Sequence, residues 1–343
     1  MFGSHSALSV KQIYLGSMLL ILSSFAHAVP ITLNDGTTDF TAELNTGSTN
    51  TGVIFFHGRG QNPNGDVVRQ LQNSLNARGH TTLSLSNPLA SDGTTNFSSY
   101  AANEDILDNL AFARLDVALQ AMQSNGIDKL VFAGFSFGAR LMTASTAAWN
   151  LGLLNTYGME LAGLVGVGMS HTLSGSTPTI ANPTTLDDIN VLDTIGNLAL
   201  INTTPVLDIY GSNDTQNANS ANSRKNSYAG PAENYEQLSI QCPERNGTYY
   251  ARNSGNYQIY YNEGLSTESQ RVRRCHQLRN GYLFDGVNYV EDVILRGYPD
   301  APLEKTVNNW FINNIEPTAV SEPPSILLML SGILFILGVY RRK

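Results

Sequence analysis

The stretch Lys129-Leu130-Val131-Phe132-Ala133-Gly134-Phe135-Ser136-Phe137-Gly138-Ala139-Arg140-Leu141-Met142 decides the fold. It opens on a continuous apolar run, the pattern of a strand covered on both faces. From Ala139 it continues as a helix. Between the two, Gly134 and Gly138 stand two residues before and two after Ser136. A sharp strand-to-helix turn needs small residues at both positions, because a side chain there would hold strand and helix apart. Such a turn lifts the Ser136 hydroxyl above the sheet edge. It also puts the Phe137 N–H at a helix N-terminus, ready for a negatively charged oxygen.

Working outward, the same alternation repeats. Gly52-Val53-Ile54-Phe55-Phe56 is another buried strand, closed by His57-Gly58-Arg59-Gly60. Val67, Val68, Leu71 and Leu75 recur at helical spacing, and Gly79 ends that helix. Thr81 to Leu85 is the next strand. Ile106, Leu107, Leu110, Val117, Ala118, Ala121 and Met122 form a long amphipathic helix closed by Gly126. Leu161 to Val167 and Pro205 to Tyr210 are further strands. The Thr-, Asn- and Gly-rich stretch from Pro30 to about Thr51 adds one or two edge strands. Strands alternating with helices predict an α/β protein. Its sheet should be mostly parallel, with right-handed crossovers and helices on both faces. No internal repeat is present.

Gly134-x-Ser136-x-Gly138 between a strand and a helix is the context of the nucleophile elbow. With His57-Gly58 and the later Gly211-x-x-Asp214, it makes the chain resemble the α/β-hydrolase superfamily of serine esterases. That resemblance implies the α/β-hydrolase fold, ester hydrolysis through an acyl-enzyme and no cofactor. It implies Ser136 as nucleophile, with Phe137 and Arg59 supplying backbone N–H groups to the oxyanion and Gly58 keeping that loop close. It also implies Asp214, in the loop after its strand, as the acid that orients the base. Asp208, inside the strand, reads as a structural carboxylate. Chain order then demands a histidine after Asp214, and His276 is the only one there. His57, His80 and His171 read as structural or loop histidines. His276 stands in Arg273-Arg274-Cys275-His276-Gln277, which is not an ordinary strand-then-histidine ending. Val290 to Leu295 looks more like a last strand, and it leads to Asp300 where a histidine would be usual. The rival reading is therefore a chain that keeps the fold but lacks a working base and serves as a surface or matrix binding protein.

The ends read as addresses. Lys11, the apolar run Ile13 to Leu22 and Ala26-His27-Ala28 form a signal peptide over residues 1–28. Residues 320–343 hold Val320-Ser321-Glu322-Pro323, an apolar stretch from Ile326 to Tyr340, and Arg341-Arg342-Lys343. This layout is similar to the PEP-CTERM sorting tail, with Ser321 standing where that motif has Pro. The similarity implies an exosortase-type processing enzyme as partner. An uncleaved membrane anchor is the alternative. Either way the expected location is outside the inner membrane: periplasm, cell surface or matrix. The hydrolase domain would then occupy residues 29–319.

The chain is 343 residues long, 42% hydrophobic and 14% charged, which excludes charge-driven disorder. Losing Lys11 and the three C-terminal basic residues takes the net charge from −8 to −12 and argues against nucleic acid as a partner. Cys242 and Cys275, in an exported chain, most simply form a disulfide. It would close about 33 residues and add up to about 4 kcal/mol by the chain-entropy argument. It would also tie down an insertion at about 241–286 and pin His276 beside Cys275. The cluster Arg271, Arg273 and Arg274 reads as a solvated face, with an anionic substrate group as the alternative. No metal-binding spacing and no Gly-rich dinucleotide loop occurs, so no metal or cofactor is expected. The expected substrate is a small-molecule or acylated-glycan ester.

Overall fold

The computed structural model describes residues 28–88, 104–211, 214–240, 249–253, 256–259, 283–284, 289–291 and 302–316. Eight strands form one sheet: β1 (Val29–Asn34), β2 (Asp39–Asn45), β3 (Thr51–Phe56), β4 (Thr81–Leu85), β5 (Lys129–Phe135), β6 (Glu160–Val167), β7 (Val206–Gly211) and β8 (Tyr235–Ile240). Their order across the sheet is β1-β2-β4-β3-β5-β6-β7-β8. From β4 to β8 every neighbouring pair is parallel, while β2 runs against both of its neighbours.

The helices are α1 (Asp66–Asn76), α2 (Glu104–Ser124), α3 (Phe137–Asn150), α4 (Thr194–Leu198), α5 (Thr215–Ser227) and α6 (Pro302–Asn314). Parallel pairing obliges the chain to return across a face between strands, and the helices are those returns. Alternation along each strand divides the core in two. Val53, Phe55, Val131, Ala133, Val165 and Leu207 pack with Val67, Leu71 and Leu75 of α1 and with Leu303, Val307, Trp310 and Phe311 of α6. Ile54, Phe56, Leu130, Phe132 and Leu164 face the other way. They pack with Leu107, Leu115, Leu119 and Met122 of α2 and with Leu141, Met142 and Ala144 of α3. This strand order and this two-faced cover are the α/β-hydrolase fold.

Among the elements not expected from the sequence, three bear on the main sheet. The strand β8 is one, because Tyr235-Glu236-Gln237-Leu238-Ser239-Ile240 places polar Gln237 on a face that looks inward. The helix α5, Thr-Gln-Asn-Ala-Asn-Ser-Ala-Asn-Ser-Arg-Lys-Asn-Ser, has no apolar stripe at all. The third, α6, does carry one: Leu303, Val307, Trp310 and Phe311 fall at helical spacing and are all buried.

The expected last strand from Val290 is corrected. The residues 289–291 form β12 (Tyr289–Glu291) in a separate four-stranded sheet with β9 (Tyr249–Asn253), β10 (Asn256–Ile259) and β11 (Leu283–Phe284), ordered β10-β9-β12-β11. Because β12 pairs in parallel with β9, the unit does not close until Glu291. The described strands of this smaller sheet fall between Tyr249 and Glu291, overlapping the 241–286 stretch that the sequence suggests is an insertion. Among the described residues the last strand of the main sheet is β8.

Both apolar ends, Cys242, Cys275 and His276 lie outside the described residues. Among the described residues no helix is long and apolar enough to cross a membrane.

Candidate active site

Ser136 sits between the end of β5 and the start of α3 with φ 55° and ψ −115°. Only one other non-glycine residue among those described, Tyr157, has a positive φ. An L-residue held in such a region stores on the order of 1–3 kcal/mol, so the surroundings must enforce it. They do so by contact. A Cβ on Gly134 would stand 2.6 Å from the Ala139 Cα. A Cβ on Gly138 would collide with the Phe56 carbonyl and come within 2.5 Å of the His57 carbonyl oxygen. The glycines thus let β5, α3 and the end of β3 converge on one point. The Ser136 N–H donates to the Val167 carbonyl at 2.9 Å, fixing the turn to β6.

The same convergence brings the loop after β3 beside the start of α3. Gly58 lies against the Phe135 ring, which an added Cβ would approach to 2.7 Å. The Gln61 N–H closes a turn on the Gly58 carbonyl at 3.2 Å, with Gly60 at φ +68° in its third position. Only glycine takes that conformation without strain. Arg59 and Gly60, both exposed, form the tip of this turn.

His57 is buried and fully engaged. Its Nε2 accepts the Asn87 backbone N–H at 3.0 Å, so the ring proton is on Nδ1, which donates to the Gly58 carbonyl at 2.8 Å. Burial pushes its pKa down to about 4, although the Gly58 bond works in the opposite direction. A neutral imidazole with both nitrogens committed cannot serve as a base for Ser136. It holds the loop.

The acid side follows from register. Phe135, Val167 and Ile209 lie abreast on β5, β6 and β7, so residues just beyond them share one edge of the sheet. Asp214 stands on that edge, past the end of β7, as the residue before α5. It is 1% exposed, and one of its carboxylate oxygens accepts a hydrogen bond from the Asn217 side-chain amide. Asp208 lies inside β7 with no exposure. It is held by Arg224 through Nε at 2.9 Å and Nη2 at 3.2 Å, by the Tyr235 hydroxyl at 3.0 Å and by the Gln237 amide at 2.8 Å. Its oxygens are committed to structure.

The histidines separate by edge. His80 opens β4 at the opposite edge, with Nε2 3.2 Å from Glu316 and Nδ1 3.2 Å from the Thr49 hydroxyl. Burial lowers its pKa, against the pull of Glu316. His171 is exposed in the segment after β6, next to Ser170, whose hydroxyl accepts a hydrogen bond from Arg140 Nε at 3.0 Å. Burial pushes the Arg140 guanidinium pKa down to about 10, which still leaves it charged at neutral pH. His276 lies outside the described residues. The segment that contains it leaves the main sheet at the C-terminal end of β8, the strand beside β7, and therefore from the edge that carries Ser136 and Asp214. A cavity of about 520 Å³ lined by Lys129, Trp149, Glu160 and Thr204 is at the other edge and takes no part in this arrangement.

Among the described residues no cluster of three or more His, Cys, Asp or Glu side chains could hold a metal ion. No family profile and no curated protein matches the chain. Solved structures do. One similar structure is a dienelactone hydrolase from Anabaena variabilis, at 13% identity and a TM-score of 0.47, covering 62% of this chain and 85% of that one. A second is carboxyl esterase 2 from Tuber melanosporum, at 12% identity and 0.46, covering 64% and 78%. A third is an alpha-beta serine hydrolase homologue from Coxiella burnetii, at 17% and 0.42, covering 62% and 86%. The strand order itself, rather than these distant likenesses, defines the fold.

Proposed function

We propose that the protein is a serine hydrolase acting on carboxylic esters. The observation that carries this reading is the backbone of Ser136, held at φ 55° and ψ −115° between β5 and α3 by two glycines that admit no side chain. Strain of this kind at a sheet edge is kept where it positions a reactive group.

In the proposed reaction Ser136 Oγ attacks the ester carbonyl carbon while His276 takes its proton. The Phe137 and Arg59 N–H groups hold the resulting oxyanion. Asp214 orients His276 and stabilises its charged form. Collapse expels the alcohol, which takes the proton from His276. Water, activated by the same imidazole, then releases the acid. Among the described residues the main sheet ends at β8, and the chain between β8 and α6 holds both His276, the proposed base, and Asp300.

A fluorophosphonate probe tests the proposal. It should label the wild type and leave Ser136→Ala and His276→Ala unlabelled while both variants stay folded. An unlabelled, folded wild type would favour the rival reading of a binding protein with a spent elbow.

The setting of this chemistry belongs to the same proposal. Residues 1–28 as a signal peptide and 320–343 as a sorting tail would place the domain outside the inner membrane, with an exosortase-type enzyme or a membrane anchor at the C-terminus. Cys242–Cys275 would be oxidised there. An acylated glycan is the substrate this setting suggests. Fractionation of cells, with mass spectrometry of the mature ends, checks it.

A further inference from the structure

The helix that follows Asp214 is built inside out. Its inward positions are Asn217, Ser220, Ala221 and Arg224, which are 0, 7, 3 and 0% exposed. Spacings of three, four and seven mark one face of a helix, the face that ordinarily carries Leu, Ile or Val. Here it carries an amide, a hydroxyl and a guanidinium. The buried guanidinium organises the rest. Arg224 pairs with Asp208 on β7, and its Nη1 donates to the Asn217 carbonyl at 2.9 Å and to the Ser220 hydroxyl at 2.7 Å. From β8, Tyr235 and Gln237 complete the shell around Asp208. Asn217 then passes the connection on, from its side-chain amide to Asp214.

Stability does not explain this choice. Removing two charges from water costs several kcal/mol per ion before their attraction returns any of it, and apolar replacements of similar volume are often neutral or better. A buried ion pair with planar, two-pronged geometry does something an apolar stripe cannot: it admits one register and one orientation. Apolar side chains allow a helix to slide and rotate by fractions of an ångström at little cost. For an acid that must aim one carboxylate oxygen at an imidazole, such freedom is damaging, since a misplacement of about 1 Å can cost on the order of 10²-fold in rate.

We infer that the Asp208–Arg224–Asn217 chain is a positioning device for the catalytic carboxylate, with Asn217 as the positioning residue that fixes one oxygen of Asp214 and turns the other toward the base. The inference rests on the hydrolase reading above. Asn217 acts on the reaction through Asp214, the carboxylate it holds. It also names a function for the polar sequence of α5, which neither packing nor the elbow chemistry requires.

The test uses the full chain, p-nitrophenyl acetate as the probe ester, and two variants close to Asn in size, Asn217→Leu and Asn217→Asp. Each is measured by thermal unfolding and by kcat/KM from pH 5 to 9. Asn217→Leu removes the amide. The expected result is a folded protein with kcat/KM lowered roughly 10- to 100-fold. The acid limb of its profile should move about half a pH unit or more to lower pH, because a base without an aligned carboxylate loses its charged form more readily. Asn217→Asp sets a second carboxyl against Asp214, and two adjacent carboxylates resist joint ionisation. Its activity should fall as pH rises across a range where the wild type is flat. A merely structural role would lower the unfolding temperature and leave both profiles in place. Wild-type kcat/KM with an unshifted profile in either folded variant overturns the inference, as does failure of both to fold. An inactive wild type instead removes the hydrolase reading, and this inference falls with it.

Discussion

The two sides of the site are built by opposite means. The side of the proposed nucleophile is apolar and tight: Gly134 and Gly138 let backbone meet backbone, Gly58 admits the Phe135 ring, and buried Phe135 and Phe137 flank Ser136. The side of the proposed acid is polar and wired: Asp208, Arg224, Asn217, Tyr235 and Gln237 hold α5 on the sheet through hydrogen bonds and one buried ion pair. Steric exclusion fixes a backbone conformation without any particular side chain. Hydrogen bonds fix a carboxylate, whose direction sterics alone would leave loose. The difference teaches that holding a strained serine and aiming a carboxylate pose distinct problems, and that one sheet edge can carry both solutions.

Four changes break or sharpen this contrast, and the first is the largest. Ser136→Ala should lower kcat against p-nitrophenyl acetate on the order of 10⁴-fold or more, with an unchanged unfolding midpoint. On the acid side, Arg224→Met leaves Asp208 buried and uncompensated. It should cost about 3–5 kcal/mol in urea unfolding, and the Asp208→Leu, Arg224→Met double variant should recover much of that loss. Activity should not recover with it, since the aim of Asp214 is gone.

The third change is in pH. His57 is held neutral by burial, with a pKa near 4 in the fold against about 6.5 in the unfolded chain. Its contribution is full above pH 6.5. It is lost as pH falls toward 4, because only the unfolded chain binds the proton in that window. The loss amounts to about 3 kcal/mol. His80, also shifted down by burial, adds in the same direction. Urea midpoints at pH 7 and pH 4.5 should show the loss, and His57→Asn should show less of it. The smallest change tests the elbow. Gly138→Ala should cost about 1–3 kcal/mol by overpacking against the Phe56 carbonyl. Ser136→Gly should gain about 1 kcal/mol by relieving the positive φ.

The same contrast explains what the sequence disclosed. The apolar side was legible because it obeys periodicity: Leu130 to Ala133, Val53 to Phe56 and the α2 stripe each announce a buried element. Gly134-Phe135-Ser136-Phe137-Gly138 announces the turn between two of them. The polar side was nearly silent. α5 and β8 bury polar side chains, so neither shows the alternation by which a buried face is recognised, and the partnership of Asp208 with Arg224 spans sixteen residues with no local signal. The expected final strand at Val290 failed for a related reason. A short apolar run carries no information on which sheet it will join, and Tyr289–Glu291 joins the smaller one. Asp214 is proposed from its place after a strand, whereas nothing in Thr-Gln-Asn-Ala sets the Asn217 amide beside it apart.

The central claim is a covalent acyl group on Ser136, and the direct measurement is the intact mass of the protein quenched during steady turnover of p-nitrophenyl acetate, followed by peptide mapping. One acetyl group per chain, on the peptide containing Ser136 and absent from Ser136→Ala, is the predicted result. Turnover with the acetyl group on another residue, or with no adduct on a folded chain trapped in every phase of the reaction, would contradict it.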